Sequence, residues 1–125
     1  MGRTETWRKG GFLTLIVVAV ASLGAVWCAS YTTSITYSRE ASLRQNLFTL
    51  RYVVDEYTVD QHKRPQSLAE LVAAGYLKKV PADPLTGRND SWVVEWSKDP
   101  KKPGIVDLHS ASRSISKGGT AYCDW

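Results

Sequence analysis

The chain has 125 residues, of which 43% are hydrophobic and 22% are charged, and its formal net charge is +4. The positive residues are scattered along the chain rather than grouped in one basic run, so the composition does not indicate a nucleic-acid-binding protein. With only two cysteines, Cys28 and Cys123, the sequence also excludes a small disulfide-stapled scaffold.

The first predicted element is a membrane-spanning helix. No charged residue occurs between Gly10 and Ser38, and the 18 residues from Phe12 to Ala29 are almost all apolar. A helix of this length, at ~1.5 Å per residue, crosses most of a hydrocarbon core of ~30 Å. The sequence therefore predicts a leader at residues 1–11, a transmembrane helix at 12–31 and an outer domain at 32–125.

The charges of the leader predict its side of the membrane. Arg3, Arg8 and Lys9 outnumber Glu5, and such an excess keeps the end before a first span in the cytoplasm. A cleaved secretory signal is the main alternative, but its apolar core is normally ~7–15 residues long and precedes a small-residue site, which Trp27 interrupts. The domain after the span is therefore expected outside the cytoplasm.

An amphipathic helix is predicted to continue the span. Neither glycine nor proline occurs between Ala25 and Pro65, so we expect one helix over residues 12–60. Arg51 and Asp55 have the i,i+4 spacing of a helical ion pair. Apolar residues spaced by 4, 3, 4 and 3 form one stripe, which predicts a core-facing surface: Leu43, Leu47, Leu50, Val54 and Tyr57.

A second, short helix is predicted after Pro65. Ser67 and Glu70 form a capping box, and Gly75 has the position of a C-terminal cap. Apolar residues in and just after this helix are expected to attach it to the long one: Leu68, Leu71, Val72, Tyr76 and Leu77.

Two strands complete the predicted fold. Residues 92–96 alternate, which places Trp92, Val94 and Trp96 on one face. Residues 105–110 form the second strand, with Val106 and Leu108 on one face and the remaining side chains, Ile105, Asp107 and His109, on the other. The predicted fold class is α+β, a long helix and a short one with a small antiparallel sheet packed on the C-terminal half of the long helix.

The sequence does not indicate an enzyme. His62 and His109 lie in different elements without cysteines at zinc-ligand spacing, and neither a nucleophile elbow nor a phosphate-binding loop occurs. We expect His62 to be solvated and His109 to lie on the less buried strand face, and no catalytic, cofactor or metal ligands are assigned. A domain of about 85 residues also leaves little room for a pocket of ~300–1,000 Å³.

Five segments together resemble the type IV pilin and pseudopilin family, and in particular the major pseudopilins of type II secretion systems. They are Gly10-Gly11-Phe12 at the start of the apolar helix, Leu43–Leu47, Arg64–Leu77, Pro81–Gly87 and Gly104–Ser110. The most specific part is Pro-x-Ser-Leu-x-x-Leu-Val-x-x-Gly-Tyr-Leu followed by Pro-x-Asp-Pro-x-Thr-Gly. The resemblance covers most of the chain.

The resemblance implies processing and assembly at the bacterial inner membrane. Prepilin peptidase would cut between Gly11 and Phe12 and methylate the new amino group. The helices would then stack with other pseudopilin subunits on the secretion assembly platform, with the C-terminal domains in the periplasm. The implied function is structural, assisting protein export.

The apolar helix departs from the family pattern at one position. The family has Gly-Phe-Thr-Leu-Ile-Glu, whereas this chain has an extra leucine, Leu13, and then Ile16 and Val17 where the glutamate is expected. The family pairs that carboxylate with the amino group of a neighbouring subunit, a device that an uncharged residue removes. The chain therefore fits a minor, divergent or uncleaved subunit about as well as the major one.

The C-terminal segment departs from the pattern as well. Major pseudopilins hold calcium there, but residues 110–125 offer one carboxylate, Asp124, together with Arg113 and Lys117. Calcium takes several oxygen ligands, usually including carboxylates. We therefore expect a metal-free loop held by packing of Tyr122 and Trp125.

Two functions remain open from the sequence. The first is a structural subunit of a pseudopilus or a related envelope filament. The second is a monomeric single-pass envelope protein that uses a pseudopilin-like domain as a binding module. The missing glutamate favours the second, and the Gly-Gly-Phe junction with the nearly complete domain favours the first.

Overall fold

A long N-terminal helix and a small antiparallel sheet form the structure, a computed structural model that describes residues 5–125, with side chains at 10–28 and 31–125. Helix α1 spans Glu5–Gln61, longer at its N-terminal end than the predicted 12–60. The chain divides into two compact units, one ending at Tyr37 and the other running from Ser38 to Trp125. Residues 1–4 of the predicted leader, including Arg3, lie outside the described residues.

The predicted stripe on α1 forms the core of the second unit. All five of its residues are at most 3% exposed, and Val53 joins them at 5%. Leu71, Trp92, Ile105, Leu108 and Tyr122 complete the buried cluster. Burial of a large apolar side chain stabilises a fold by about 1.5–3 kcal/mol, so this cluster is the main source of the domain's stability.

The predicted ion pair between Arg51 and Asp55 is wrong. The guanidinium of Arg51 instead donates from Nε to Oδ1 of Asp107, at 2.6 Å, on the second strand. Asp55 stays exposed. A long-range partner therefore replaces the helical i,i+4 neighbour, because packing of the sheet brings a carboxylate within reach of the same side chain.

Helix α2, Leu68–Ala73, begins and ends as the sequence predicts. The Ser67 hydroxyl accepts from the Glu70 amide at 3.1 Å, and Gly75 has a positive φ of 85° just after the helix. The return contact differs from an ideal capping box, since Glu70 Oε2 accepts from the amide of Gln66. Leu71 is fully buried, and Leu68, Tyr76 and Leu77 pack against the same core.

Strands β1, Val93–Trp96, and β2, Ile105–His109, form the two-stranded antiparallel sheet. Their register shifts between Glu95 and Trp96, whose partners are Asp107 and Ile105. Val106 is thus an extra residue on β2, which is the geometry of a β-bulge.

The bulge overturns part of the predicted alternation. Ile105 is buried with Leu108, whereas the sequence placed Ile105 on the opposite face with Asp107 and His109. Trp96 is half exposed and lies outside the core cluster, although it was expected to share the buried face of Trp92 and Val94. A pattern with a period of two cannot cross an inserted residue, so the error begins where the register shifts.

Gly104 fixes the start of β2 close to the end of α1. Its φ is 137°, and a Cβ added there would lie 2.5 Å from Cβ of Arg64. The amide of Ile105 donates to the carbonyl of Pro65 at 2.9 Å. Only glycine allows this close approach of two backbones without a shift.

The loop of residues 81–88 is organised around a buried carboxylate. Asp83 is fully buried, and its carboxylate accepts from the Leu85 amide and from the Ser110 hydroxyl. Neighbouring carbonyls of the same loop bind Asn46 on α1 and Nε1 of Trp92. The motif that carries the resemblance most specifically therefore has a structural role, which is to join α1, the sheet and the segment after β2.

Candidate functional site

The first candidate surface is the apolar part of α1. From Gly10 onward α1 contains a window with a mean hydropathy of 2.4, none of which is buried by the rest of the described chain. It is the one helix in the described residues that is long and apolar enough to cross a membrane. Large side chains along it are mostly exposed, among them Phe12 at 67% and Trp27 at 78%.

The predicted processing junction lies within this helix. Gly11 and Phe12 are both helical and exposed, and a Cβ added at Gly10 or Gly11 would meet no heavy atom within 4 Å among the described residues. Ile16 and Val17, which occupy the place of the family's glutamate, are exposed as well. The first unit thus offers an apolar surface with no carboxylate from Gly10 to Tyr37.

The C-terminal segment is held to α1 by a buried carboxylate. Glu40 is 6% exposed, and Oε1 accepts from the Tyr122 hydroxyl at 2.8 Å and from the Lys117 amide at 3.2 Å. These two hydrogen bonds, the Tyr122 hydroxyl first, hold the pKa of the Glu40 carboxyl below its ordinary value. Burial of the ring, followed by the bond to Glu40, raises the pKa of Tyr122.

Trp125 docks on this segment, as the sequence predicts. Its ring meets Tyr122 edge-on at a centroid distance of 5.1 Å, and the guanidinium carbon of Arg44 lies 4.4 Å from its centroid. Asp124, the lone carboxylate considered for calcium, is exposed in a 3-10 helix at Tyr122–Asp124.

A groove of about 440 Å³ lies beside Trp125, so the small domain does have room for a concave surface, contrary to expectation. Its described lining contains no histidine, serine or cysteine. Its wall combines aromatic and charged side chains, namely Arg44, Leu47, Phe48, Arg51, Tyr52, Asp55 and Trp125.

A second cluster lies on the sheet and was not predicted. Glu95 on β1 pairs with Asp107 on β2, and His109 follows two residues later. Nε2 of His109 lies 3.8 Å from Oε2 of Glu95 and 3.9 Å from Oδ2 of Asp107. One ligand atom from each residue falls within 4.8 Å of the others, a spacing at which the three could hold a metal ion.

The sequence held only part of the information needed to find this cluster. Asp107 and His109 alternate with Leu108 and so share a face, but the contribution of Glu95 depends on the register of the bulged sheet. His62, the other histidine, is exposed just after α1, as expected. Both cysteines are free, Cys28 exposed and Cys123 partly buried.

Comparison with known proteins gives no relative. A scan against protein-family models and searches of curated proteins and of solved structures found no match to this chain.

Proposed function

We propose that this chain is a structural, pseudopilin-like subunit of a type II secretion pseudopilus or a related envelope filament. The first half of α1 is held in the bacterial inner membrane and the C-terminal domain lies in the periplasm. Its role is assembly that assists protein export, without catalysis.

The observation that carries the proposal is a change along α1 in how its apolar side chains are distributed and buried. One helix presents an unburied apolar surface from Gly10 and, further on, a narrow stripe packed under a small domain. An apolar surface on all sides of a helix needs lipid or other helices around it. A subunit that passes from a membrane into a filament core meets both environments in turn.

The resemblance of the domain supports the same proposal. Its most specific motif builds the capped helix α2 and the loop around Asp83, and Gly104 is required where β2 begins. The partners follow from the proposal: prepilin peptidase acting between Gly11 and Phe12, other pseudopilin subunits and the secretion assembly platform.

Disulfide crosslinking in native membranes tests assembly. Cysteines at Leu15 and Leu23, eight residues apart on one face of α1 and both more than 60% exposed, are introduced after Cys28 and Cys123 are changed to serine. Copies stacked through this helix will give a ladder of dimers, trimers and larger species under oxidation. The cysteine-free variant is the control, and a monomer band alone from the double-cysteine variant would contradict assembly.

A monomeric envelope protein that uses the domain as a binding module is the second candidate. Two observations favour it: the uncharged residues at Ile16 and Val17, and the groove beside Trp125. The same experiment separates the two functions, because a monomeric anchor gives no ladder.

A further inference from the structure

Three potential ligands converge on one face of the sheet, formed by Glu95, Asp107 and His109. Glu95 and Asp107 are cross-strand partners, and side chains two residues apart in a strand share a face, which adds His109. All three side chains are partly exposed, His109 least at 26%. An ion from solvent can therefore reach the cluster without any movement of the core.

The hydrogen bonding of His109 leaves Nε2 as an acceptor. Nδ1 lies 2.8 Å from the backbone oxygen of Trp125 and 3.5 Å from Nη2 of Arg51, so the contact with the oxygen is the stronger one. This oxygen accepts, which places a proton on Nδ1. In the neutral ring the lone pair then lies on Nε2, which faces the two carboxylates.

The three acceptors leave a gap suited to a metal ion. Distances of 3.8 and 3.9 Å from Nε2 to the carboxylate oxygens exceed the range of about 2.7–3.2 Å for a hydrogen bond. Two ligands bound to zinc at about 2.1 Å each in a tetrahedron lie about 3.4 Å apart. The cluster is therefore too wide for direct hydrogen bonds, and its ligand atoms, which all lie within 4.8 Å of one another, would draw together to surround an ion.

Neighbouring groups orient two of the ligands. Oδ1 of Asp107 accepts from Nε of Arg51 at 2.6 Å and from the Leu108 amide at 2.7 Å, which leaves Oδ2 directed at His109. The backbone oxygen of Trp125 holds the imidazole in the same way. Metal sites commonly fix their ligands through such outer hydrogen bonds. Glu95 and Asp107 bring two negative charges against the one positive charge of Arg51, and this balance favours a cation.

We infer that Glu95, Asp107 and His109 bind one divalent transition-metal ion, with zinc as the best fit and water as the fourth ligand. Zinc accepts one imidazole nitrogen and two carboxylate oxygens, whereas calcium takes six to eight oxygens. The ion would link β1 to β2 and, through His109, strengthen the attachment of Trp125. This inference does not depend on the proposed function.

Zinc titration of the full chain in detergent micelles tests the site. We expect calorimetry to show one equivalent of Zn²⁺ bound per chain and no binding of Ca²⁺ or Mg²⁺ at the same concentration. His109→Gln and Glu95→Gln should each weaken zinc binding at least tenfold. His62→Gln, which changes the other histidine, is the matched control and should leave binding unchanged. Near-ultraviolet circular dichroism of each variant verifies that it is folded.

Histidine ¹⁵N chemical shifts provide a second readout that identifies the ligand atom. Zinc should move the Nε2 resonance of His109 and leave its Nδ1 protonated. Three results would overturn the inference: no saturable zinc binding at 100-fold molar excess, affinity unaffected by both His109→Gln and Glu95→Gln, or affinity lost in His62→Gln.

Discussion

The two halves of α1 are both rich in apolar side chains, but they differ in what covers them. In the first half, the large side chains from Phe12 to Val26 are 44–71% exposed, whereas the stripe from Leu43 to Tyr57 is at most 5% exposed. The first half is apolar on every side, and the second is apolar mainly along one stripe. The difference teaches that the distribution of apolar residues around a helix, more than their number, indicates whether its own chain can bury it.

The largest expected effect comes from placing a charge in the buried core cluster, on α1 or on α2. Leu47→Asp and Leu71→Asp should each unfold the domain, because an unpaired buried carboxylate costs several kcal/mol and a whole domain has only about 5–15 kcal/mol. Urea unfolding of the full chain in micelles, followed by tryptophan fluorescence, measures this. Phe48→Asp, at a neighbouring position that is 68% exposed, is the matched control. Equal stability of all three variants would show that Leu47 and Leu71 do not lie in the core.

A charge in the first half should act on membrane insertion instead. Val18→Arg is expected to make insertion less favourable by about 3 kcal/mol and to leave the urea unfolding of the domain unchanged. Alkaline extraction of membranes gives the fraction inserted. Val59→Arg, at a residue 70% exposed in the second half, should leave extraction unaffected. If Val18→Arg and Val59→Arg behave alike, the two halves do not differ in their surroundings.

Substitutions at two glycines, one in the domain and one in the first half of α1, test the same comparison through smaller changes in stability. Gly104→Ala should destabilise the domain by about 2 kcal/mol, because it combines a positive φ with a Cβ only 2.5 Å from Cβ of Arg64. Gly24→Ala, in the first half of α1, introduces a Cβ that meets no heavy atom within 4 Å of the described chain. The domain of the Gly24→Ala variant should unfold at the same urea concentration as the wild-type domain. A stable Gly104→Ala variant would mean that β2 does not approach Arg64 so closely.

Acid should weaken the unit from Ser38 to Trp125 selectively. Glu40 and Glu70 both have a lowered pKa, caused first by the hydroxyls of Tyr122 and Tyr57, respectively. Unfolded glutamate therefore binds a proton at higher pH than the folded side chain does. The stability from these bonds is complete above the ordinary pKa of about 4.3 and is lost as the pH falls through the lowered values.

Domain stability measured at pH 7 and pH 3.5 checks this expectation. Changing both residues to glutamine should reduce the stability that the domain loses between pH 7 and pH 3.5. Glu56→Gln, which alters an exposed carboxylate on α1, is the control. A double variant that loses as much stability in acid as the wild type would show that other groups determine the pH dependence.

Local patterns predicted the helices better than they predicted the sheet. The stripe on α1 and the cap at Ser67 depend on residues a few positions apart, where spacing decides the contact. The exposure of Trp96 and the partner of Arg51 depend on the bulge at Val106 and on the placement of β2 beside α1. The cluster containing His109 also needs the strand register, so no single segment of the sequence contains it.

The N-terminal residue of the chain extracted from membranes tests most directly the claim that the first half of α1 is the processed, assembling half. We predict that, in cells with an active prepilin peptidase, mass spectrometry finds a chain that begins at Phe12 with a methylated amino group. A chain that still carries Gly10 and Gly11 in those cells would contradict processing at this junction and would favour the monomeric anchor.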